Sequence, residues 1–319
     1  MKLKIQNRYK LPENVSVYLT HTLGNGNVIA FGTFNDGELY KYCLITFSEN
    51  EVKHSILHSL GDVMVSKHHD PVLIAIDENC FGIIDSGDTL YVYEDLAVQP
   101  KIFRINNHEI FSKLKEVPRA NNLKAVGGKY SWLVIFADSV LSQNSRFIIE
   151  LKANKDGEYS WGNLLSLDHD DFPKDNSVPQ FGSPMIGTSM IKDNSRLLFV
   201  EGSNSMSVNK YGMDYYSLIE ADSNGSILNR LHEVSGLKQL PGKHGVRGCF
   251  TSSKEYLILT PVFSSGDWKG KQKILRISDN TLIDVEMPRG TKDFKMIEHA
   301  TGNFYLSDYR NELMVCTAV

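Results

Sequence analysis

In LDHDDFPKDNSVPQFG, Leu167 to Gly182, four aspartates and a histidine stand almost side by side: Asp168, His169, Asp170, Asp171 and Asp175. Calcium takes about 6–8 oxygen ligands, and closely spaced aspartates can supply some of them. The D-x-D-D-x-x-x-D spacing, however, lacks the glycine and the distal glutamate of an EF-hand loop. Two neighbouring carboxylates also suit acid–base work on a glycosidic bond, but that needs a second residue from elsewhere in the fold. The simpler reading is a solvated acidic loop, Asp168 to Phe172, that meets a basic partner.

The second polar knot is Lys67-His68-His69 followed by Asp70. Adjacent histidines on a strand point to opposite faces, which makes chelation by the pair awkward. With His244 they could share a metal in a central channel, but surface histidines beside Pro71 are the simpler reading. Two other segments carry aromatics without apolar neighbours. SSGDWKGK holds Trp268 and Lys269, and EGSNSMSVNKYGMDYY holds Met206, Tyr211 and Met213. Large side chains in polar, glycine-rich surroundings are the usual interface anchors. Trp132 and Trp161 lie in strand-like runs and are read as packing.

Familiar catalytic patterns do not occur. GNGN, Gly24 to Asn27, is followed by a strand pattern rather than a helix, so it reads as a hairpin and not a phosphate cradle. There is no G-x-S-x-G, P-loop or H-E-x-x-H. No catalytic residue, metal or cofactor is therefore assigned. The assigned residues are partner-binding: Asp168, His169, Asp170, Asp171, Phe172, Tyr211, Met213, Trp268 and Lys269.

The bulk composition sets limits on these readings. The chain has 319 residues, 41% hydrophobic and 23% charged, with a formal net charge of −4. That is ordinary globular composition, and a mild acidic balance disfavours nucleic acid while suiting a basic partner. Cys43, Cys80, Cys249 and Cys316 are far apart and form no C-x-x-C pair, so reduced thiols in a cytosolic protein are expected. The start, MKLKIQNRYKLPENV, alternates rather than forming an apolar signal segment, and no run of about 18 apolar residues suggests a membrane helix.

The elements that must position these residues are strands. One helical pattern stands out, His108 to Val117, where Ile110, Phe111, Leu114 and Val117 share a face. Elsewhere β-branched and aromatic runs are broken by Gly, Asn, Asp and Ser. Six times one apolar run meets the next across a tight turn, at Gly26, Glu78, Gly128, Asn194, Lys254 and Gly302. The intervals are 52, 50, 66, 60 and 48 residues, and two further strand-like runs follow each hairpin except the last. The sixth unit ends one strand short, while KLKIQNRYKL at the start is a spare strand. The predicted fold is all-β: a single six-bladed β-propeller of four-stranded antiparallel blades over 1–319. The expected blades are 15–61, 71–106, 120–167, 184–235, 245–288 and 293–319 plus 2–11, the N-terminal strand closing the ring.

The chain thus resembles the propeller class over nearly its whole length. It does not resemble WD40 or kelch repeats, since neither recurrent Trp-Asp nor recurrent paired glycines occur. ANKDGEYSW, Ala153 to Trp161, misses the Asp-box pattern by one residue. Alternation of strands places the short turns at one end of such a ring and the long connections at the other. The long ones include 60–71, 106–122, 168–183, 201–214, 236–245 and 263–271, so that end is read as the working face. The expected function is a non-catalytic protein-binding propeller, monomeric apart from its partner. It is similar to stand-alone propellers that serve as bacterial cytosolic immunity proteins and block a basic, nuclease-type toxin. The alternative is a propeller hydrolase or lyase acting on a carbohydrate or small ester in the central channel.

Overall fold

The computed structural model describes residues 1–22, 28–35, 40–47, 52–56, 72–75, 80–85, 89–94, 99–104, 124–126, 131–137, 146–153, 159–166, 184–192, 197–203, 216–221, 227–233, 246–261 and 271–319. Within them run β1 (Leu3–Lys10), β2 (Val15–Thr22), β3 (Val28–Asn35), β4 (Tyr40–Phe47), β5 (Val52–Ile56), β6 (Val72–Ala75), β7 (Phe81–Asp85) and β8 (Thr89–Tyr93). They continue with β9 (Lys101–Arg104), β10 (Lys124–Val126), β11 (Ser131–Ala137), β12 (Arg146–Ala153), β13 (Tyr159–Ser166), β14 (Pro184–Lys192), β15 (Leu197–Ser203) and β16 (Tyr216–Ala221). The last are β17 (Ile227–Glu233), β18 (Val246–Phe250), β19 (Tyr256–Pro261), β20 (Lys271–Arg276), β21 (Thr281–Glu286), β22 (Lys295–Ala300), β23 (Asn303–Ser307) and β24 (Glu312–Ala318). The expected helix at 108–117 lies outside the described residues.

The fold is all-β, built from antiparallel sheets of consecutive strands. Strands β2 to β5 and β18 to β21 each form a four-stranded sheet in chain order. A third four-stranded sheet has the order β1-β24-β23-β22, so the first strand of the chain supplies the strand that the C-terminal segment lacks. The hairpin at Gly302 shows how local sequence sets this geometry. Ala300 pairs with Asn303, and the two residues between them, Thr301 and Gly302, both have positive φ (51° and 77°). That is the conformation whose twist suits a two-residue hairpin.

The middle of the chain departs from separate four-stranded units. The hairpin expected around Gly128 is not a ladder among the described residues. Instead β10 pairs in parallel with β6 on one side and β14 on the other, which merges β6–β9 and β14–β17 into a nine-stranded sheet. Strands β11, β12 and β13 are left as a three-stranded sheet. The physical reason is competition for the same backbone groups. First strands of successive units run in the same direction, and at about 4.8 Å apart they can bond laterally. The three-residue β10 satisfies its N–H and C=O groups that way rather than through β11.

The C-terminal sheet is apolar on both faces. Phe304, Leu306, Met314 and Cys316 join Ile258, Ile274 and Val285 of the sheet β18–β21 in one core. Their neighbours Tyr305, Leu313 and Val315 join Val17, Val28, Ala30, Ile45 and Phe47 of the sheet β2–β5 in another. Period-two alternation therefore sorts FYL and LMVC between two cores rather than between core and water. Strand β1 serves both cores through a bulge. Ile5 pairs with Cys316 and Asn7 with Val315, leaving Gln6 extra. Leu3 and Ile5 consequently pack into the first core and Tyr9, with Leu11 beyond it, into the second. Further bonds tie the ends down. The Met1 ammonium donates to Asp284 O at 2.9 Å, and Glu286 N–H donates to Met1 O at 2.8 Å. Leu11 N–H donates to Asn311 O at 2.7 Å, and Val17 N–H to Tyr309 O at 2.8 Å.

Gly32, buried in β3 opposite Val17, marks a close approach next to a bulge in β2. A Cβ there would run into the Ser16 carbonyl oxygen and the backbone around it. Rigid backbone cannot yield as a flexible side chain would. Gly32→Ala should therefore destabilise the fold by about 3 kcal/mol or more in urea unfolding, beyond the usual ~1 kcal/mol of a point change; a loss under ~1 kcal/mol would contradict this packing.

Candidate functional site

The residues assigned from sequence, Asp168, His169, Asp170, Asp171, Phe172, Tyr211, Met213, Trp268 and Lys269, lie outside the described residues, as do Lys67, His68, His69 and His244. The strand ends that flank their segments are described. Strand β6 follows the segment 57–71, β10 follows 105–123 and β14 follows 167–183. These three strands are parallel and laterally bonded, Lys124 pairing with both Leu73 and Ser189, so their starts point to one end of the sheet. The antiparallel pairing of β14, β15 and β16 brings the two ends that flank 204–215 to that same end. Segments bearing Lys67-His68-His69, Asp168 to Phe172, and Tyr211 with Met213 therefore depart from one end of the nine-stranded sheet.

A second polar site is fully described, and it lies at the seam between the sheet β18–β21 and β22. Glu298 is 0% exposed, in the middle of a strand whose neighbours are apolar. Its carboxylate accepts from Ser252 N–H at 2.6 Å, Ser252 Oγ–H at 2.8 Å and His299 N–H at 3.0 Å. A buried carboxylate is tolerable only when it collects such donors. His299 is 5% exposed. Its ring meets Tyr256 edge-on at 4.9 Å and tilts against Phe304 at 4.4 Å. Its Nδ1 lies 3.0 Å from Ser253 Oγ and 3.3 Å from Glu255 Oε2. Its carbonyl accepts from Ser253 N–H at 3.2 Å. The turn is shaped to make these contacts: Lys254 has φ of 60° and donates its N–H back to Thr251 O, and the Thr251 hydroxyl holds Ser253 Oγ at 3.0 Å.

Serine, histidine and glutamate in one cluster suggest a hydrolytic triad, but the geometry argues otherwise. In a triad the serine and the acid engage opposite ring nitrogens, so that the acid orients a base aimed at the nucleophile. Here Ser253 and Glu255 both address Nδ1. Burial pushes the His299 pKa below its ordinary value, against the opposing pull of Glu255 and Glu298, so the ring is neutral near pH 7. The arrangement is a clasp: two serines of a turn fastened to a glutamate and a histidine of the next sheet. Gln272 makes a parallel tie nearby, donating to Phe294 O and accepting from Met296 N–H, both at 2.8 Å. Thr20 of the sheet on the other side donates to Ile297 O at 3.3 Å, the carbonyl of the residue bulged out of β22.

Sequence reasoning passed over Glu298 and His299 as part of a hairpin. The signal was present: a charged pair inside KMIEHA, a short strand otherwise apolar on both faces. Among the described residues no group of three or more His, Cys, Asp or Glu converges as a metal site. Cys43, Cys80 and Cys316 are free, and burial pushes the thiols of Cys43 and Cys316 up to about 12 and about 11.

No family model matches the chain, and no curated protein matches it. Among solved structures it is similar to YCF48 bound to D1 peptide, at 10% identity and a TM-score of 0.44, covering 98% of this chain and 97% of that one. It is also similar to YCF48 from Cyanidioschyzon merolae, at 9% identity and a TM-score of 0.48, covering 98% and 99%. A third is the α-L-arabinofuranosidase PaAbf62A from Podospora anserina in complex with cellotriose, at 10% identity and a TM-score of 0.45, covering 96% and 91%. Likenesses of this size assign neither an activity nor a ligand.

Removing the Glu298 carboxylate strands the Ser252 N–H and hydroxyl in a buried seam. Glu298→Ala should lower stability by about 3 kcal/mol in chemical unfolding, and Glu298→Gln by less, since the amide oxygen still accepts. Equal effects of the two variants would contradict the clasp.

Proposed function

We propose that the chain is a six-bladed β-propeller, its ring completed by β1, that acts without catalysis by binding a protein. Within that class our reading is a cytosolic immunity protein of a bacterium that blocks a basic, nuclease-type toxin. The ring reading is supported by the neighbours of successive first strands. Strand β6 adjoins β10, β10 adjoins β14, β14 lies against β18, and β22 lies against β19 and β2. It is also supported by β1 completing the sheet of β22–β24 between two other sheets.

The observation that carries the binding reading is the parallel ladder β6-β10-β14. Backbone hydrogen bonds between these first strands leave no width for a substrate between them, so this sector favours the end over a channel. At that end the flanking strands deliver Lys67-His68-His69, the aspartate segment, and Tyr211 with Met213 together, beside the acidic balance of the whole chain. An acidic rim with aromatic anchors suits a basic protein surface. Trp268 and Lys269 follow β19 as Tyr211 follows β15, the second strand of each unit in turn.

The reading is tested with the product of the open reading frame adjoining the gene. Purified chain should bind it with an interface of protein–protein size and suppress its toxicity on co-expression. Trp268→Ala with Asp170→Ala should weaken binding at least about tenfold, as truncation of interface anchors does. Binding unchanged in the double variant would remove these residues from the site, and absence of both binding and protection would remove the immunity role.

A further inference from the structure

The clasp at Glu298 and His299 has a feature beyond holding two sheets together. Four hydrogen bonds fasten the turn 251–255 to β22, from Ser252 N–H, Ser252 Oγ, Ser253 N–H and Ser253 Oγ. Two of the four end on His299, one on its carbonyl and one on its ring. That ring is nearly sealed by Tyr256 of β19 and Phe304 of β23. The contact of a carboxylate oxygen and a hydroxyl with one nitrogen is best met by a neutral ring with its proton on Nδ1, donating to both. A second proton would place a full positive charge on an enclosed ring.

We propose that the clasp is a proton-operated latch: uptake of a proton at His299 releases the turn 251–255 from β22 while the adjoining sheets stay folded. The ionisable groups facing the ring are Glu255 and Tyr256 from the turn and β19, and Glu298 from β22 itself; β23 contributes Phe304, which does not ionise. Glu255 and Glu298 favour the charged ring, but desolvation outweighs them and lowers the pKa below 6.5. Glu255 is 57% exposed on its side chain, so water weakens its pull. Glu298 already accepts three donors. Swinging the turn aside restores hydration to the ring, and the open state then titrates at an ordinary value.

The sign follows from linkage. A histidine whose closed-state pKa lies below its open-state pKa stabilises the closed state above about pH 6.5 and ceases to do so as pH falls through that value. The turn is the element to yield, because its four bonds are at the edge of the seam whereas the sheets are held by two apolar cores.

Amide hydrogen exchange resolved by residue, corrected for the intrinsic pH dependence, tests the latch on the full chain. Between pH 7.5 and pH 5.0 the Ser252 and Ser253 amides should lose about tenfold in protection for each pKa unit separating the closed and open states. Amides of β20 and of β2 to β4 should hold theirs. His299→Phe, which keeps a ring in the pocket and cannot titrate, should abolish the loss. Should that variant fail to fold, Glu255→Gln serves: removing the carboxylate that favours the charged ring should enlarge the loss at pH 5.0. The proposal is overturned if the His299→Phe chain loses protection as the parent does, which would make Glu298 the titrating group. It is equally overturned if Glu255→Gln leaves the loss unchanged, or if all amides lose protection together.

Discussion

A sheet with apolar side chains on both faces must be covered on both, and much else in this structure follows from meeting that demand at the C-terminal sheet. Strands β22, β23 and β24 send alternate side chains into two separate cores. Each fully buried Leu, Met or Phe there stabilises by ~1.5–3 kcal/mol relative to exposure, but only while a neighbouring sheet lies against that face. Neither flanking sheet can be removed without exposing half of the hydrophobic set. The polar ties at the seams, Glu298 to Ser252, Gln272 to Phe294 and Met296, Thr20 to Ile297, add register to this non-directional attraction. Apolar packing alone would allow the sheets to slide; hydrogen bonds between buried groups do not.

Strand β1 answers the same demand from the far end of the chain. Ladder partners separated by some three hundred residues, such as Leu3 with Ala318, make it a contact of very long sequence separation. Its bulge at Gln6 lets eight residues feed both cores, which a regular strand could not do. The rim charges are paired but exposed, Lys2 with Glu286 and Arg8 with Glu312, both at 3.5 Å, and such pairs contribute little. The strand is therefore held by backbone bonds and by Leu3, Ile5 and Tyr9. The same economy explains the latch reading. The turn 251–255 has no apolar anchor comparable to these and depends on four hydrogen bonds, one of them to a group whose charge can change.

Much of this was legible in the sequence, and the reasons are local. Short β-branched and aromatic runs separated by Gly, Asn and Asp turns read as strands because period-two burial and φ > 0 turns are properties of a few residues. The Thr301-Gly302 hairpin is such a case. The spare strand KLKIQNRYKL could be matched to the missing fourth strand of the last unit by counting alone. Other features depend on partners distant in sequence. The lateral pairing of β10 with β6 and β14 depends on how closely first strands approach, which no spacing reveals. The Glu298 clasp joins residues 46 positions apart; the charged pair within an apolar strand was its trace, and the two serines that answer it look like any polar turn. The partner-binding residues read from polar loops lie outside the described residues, where long polar segments carry too little pattern to place a side chain.

The central claim is that β1 lies along β24 with Lys4 opposite Thr317, joining the two ends of the chain in one sheet. Lys4→Cys with Thr317→Cys tests it directly, since a disulfide forms only when the two Cα atoms lie within about 7 Å. Oxidation should yield a single internal cross-link, seen by peptide mass mapping, and should raise the thermal midpoint relative to the reduced protein by constraining the unfolded chain. A pair that stays reduced under the same conditions, or links only between molecules, would contradict the account.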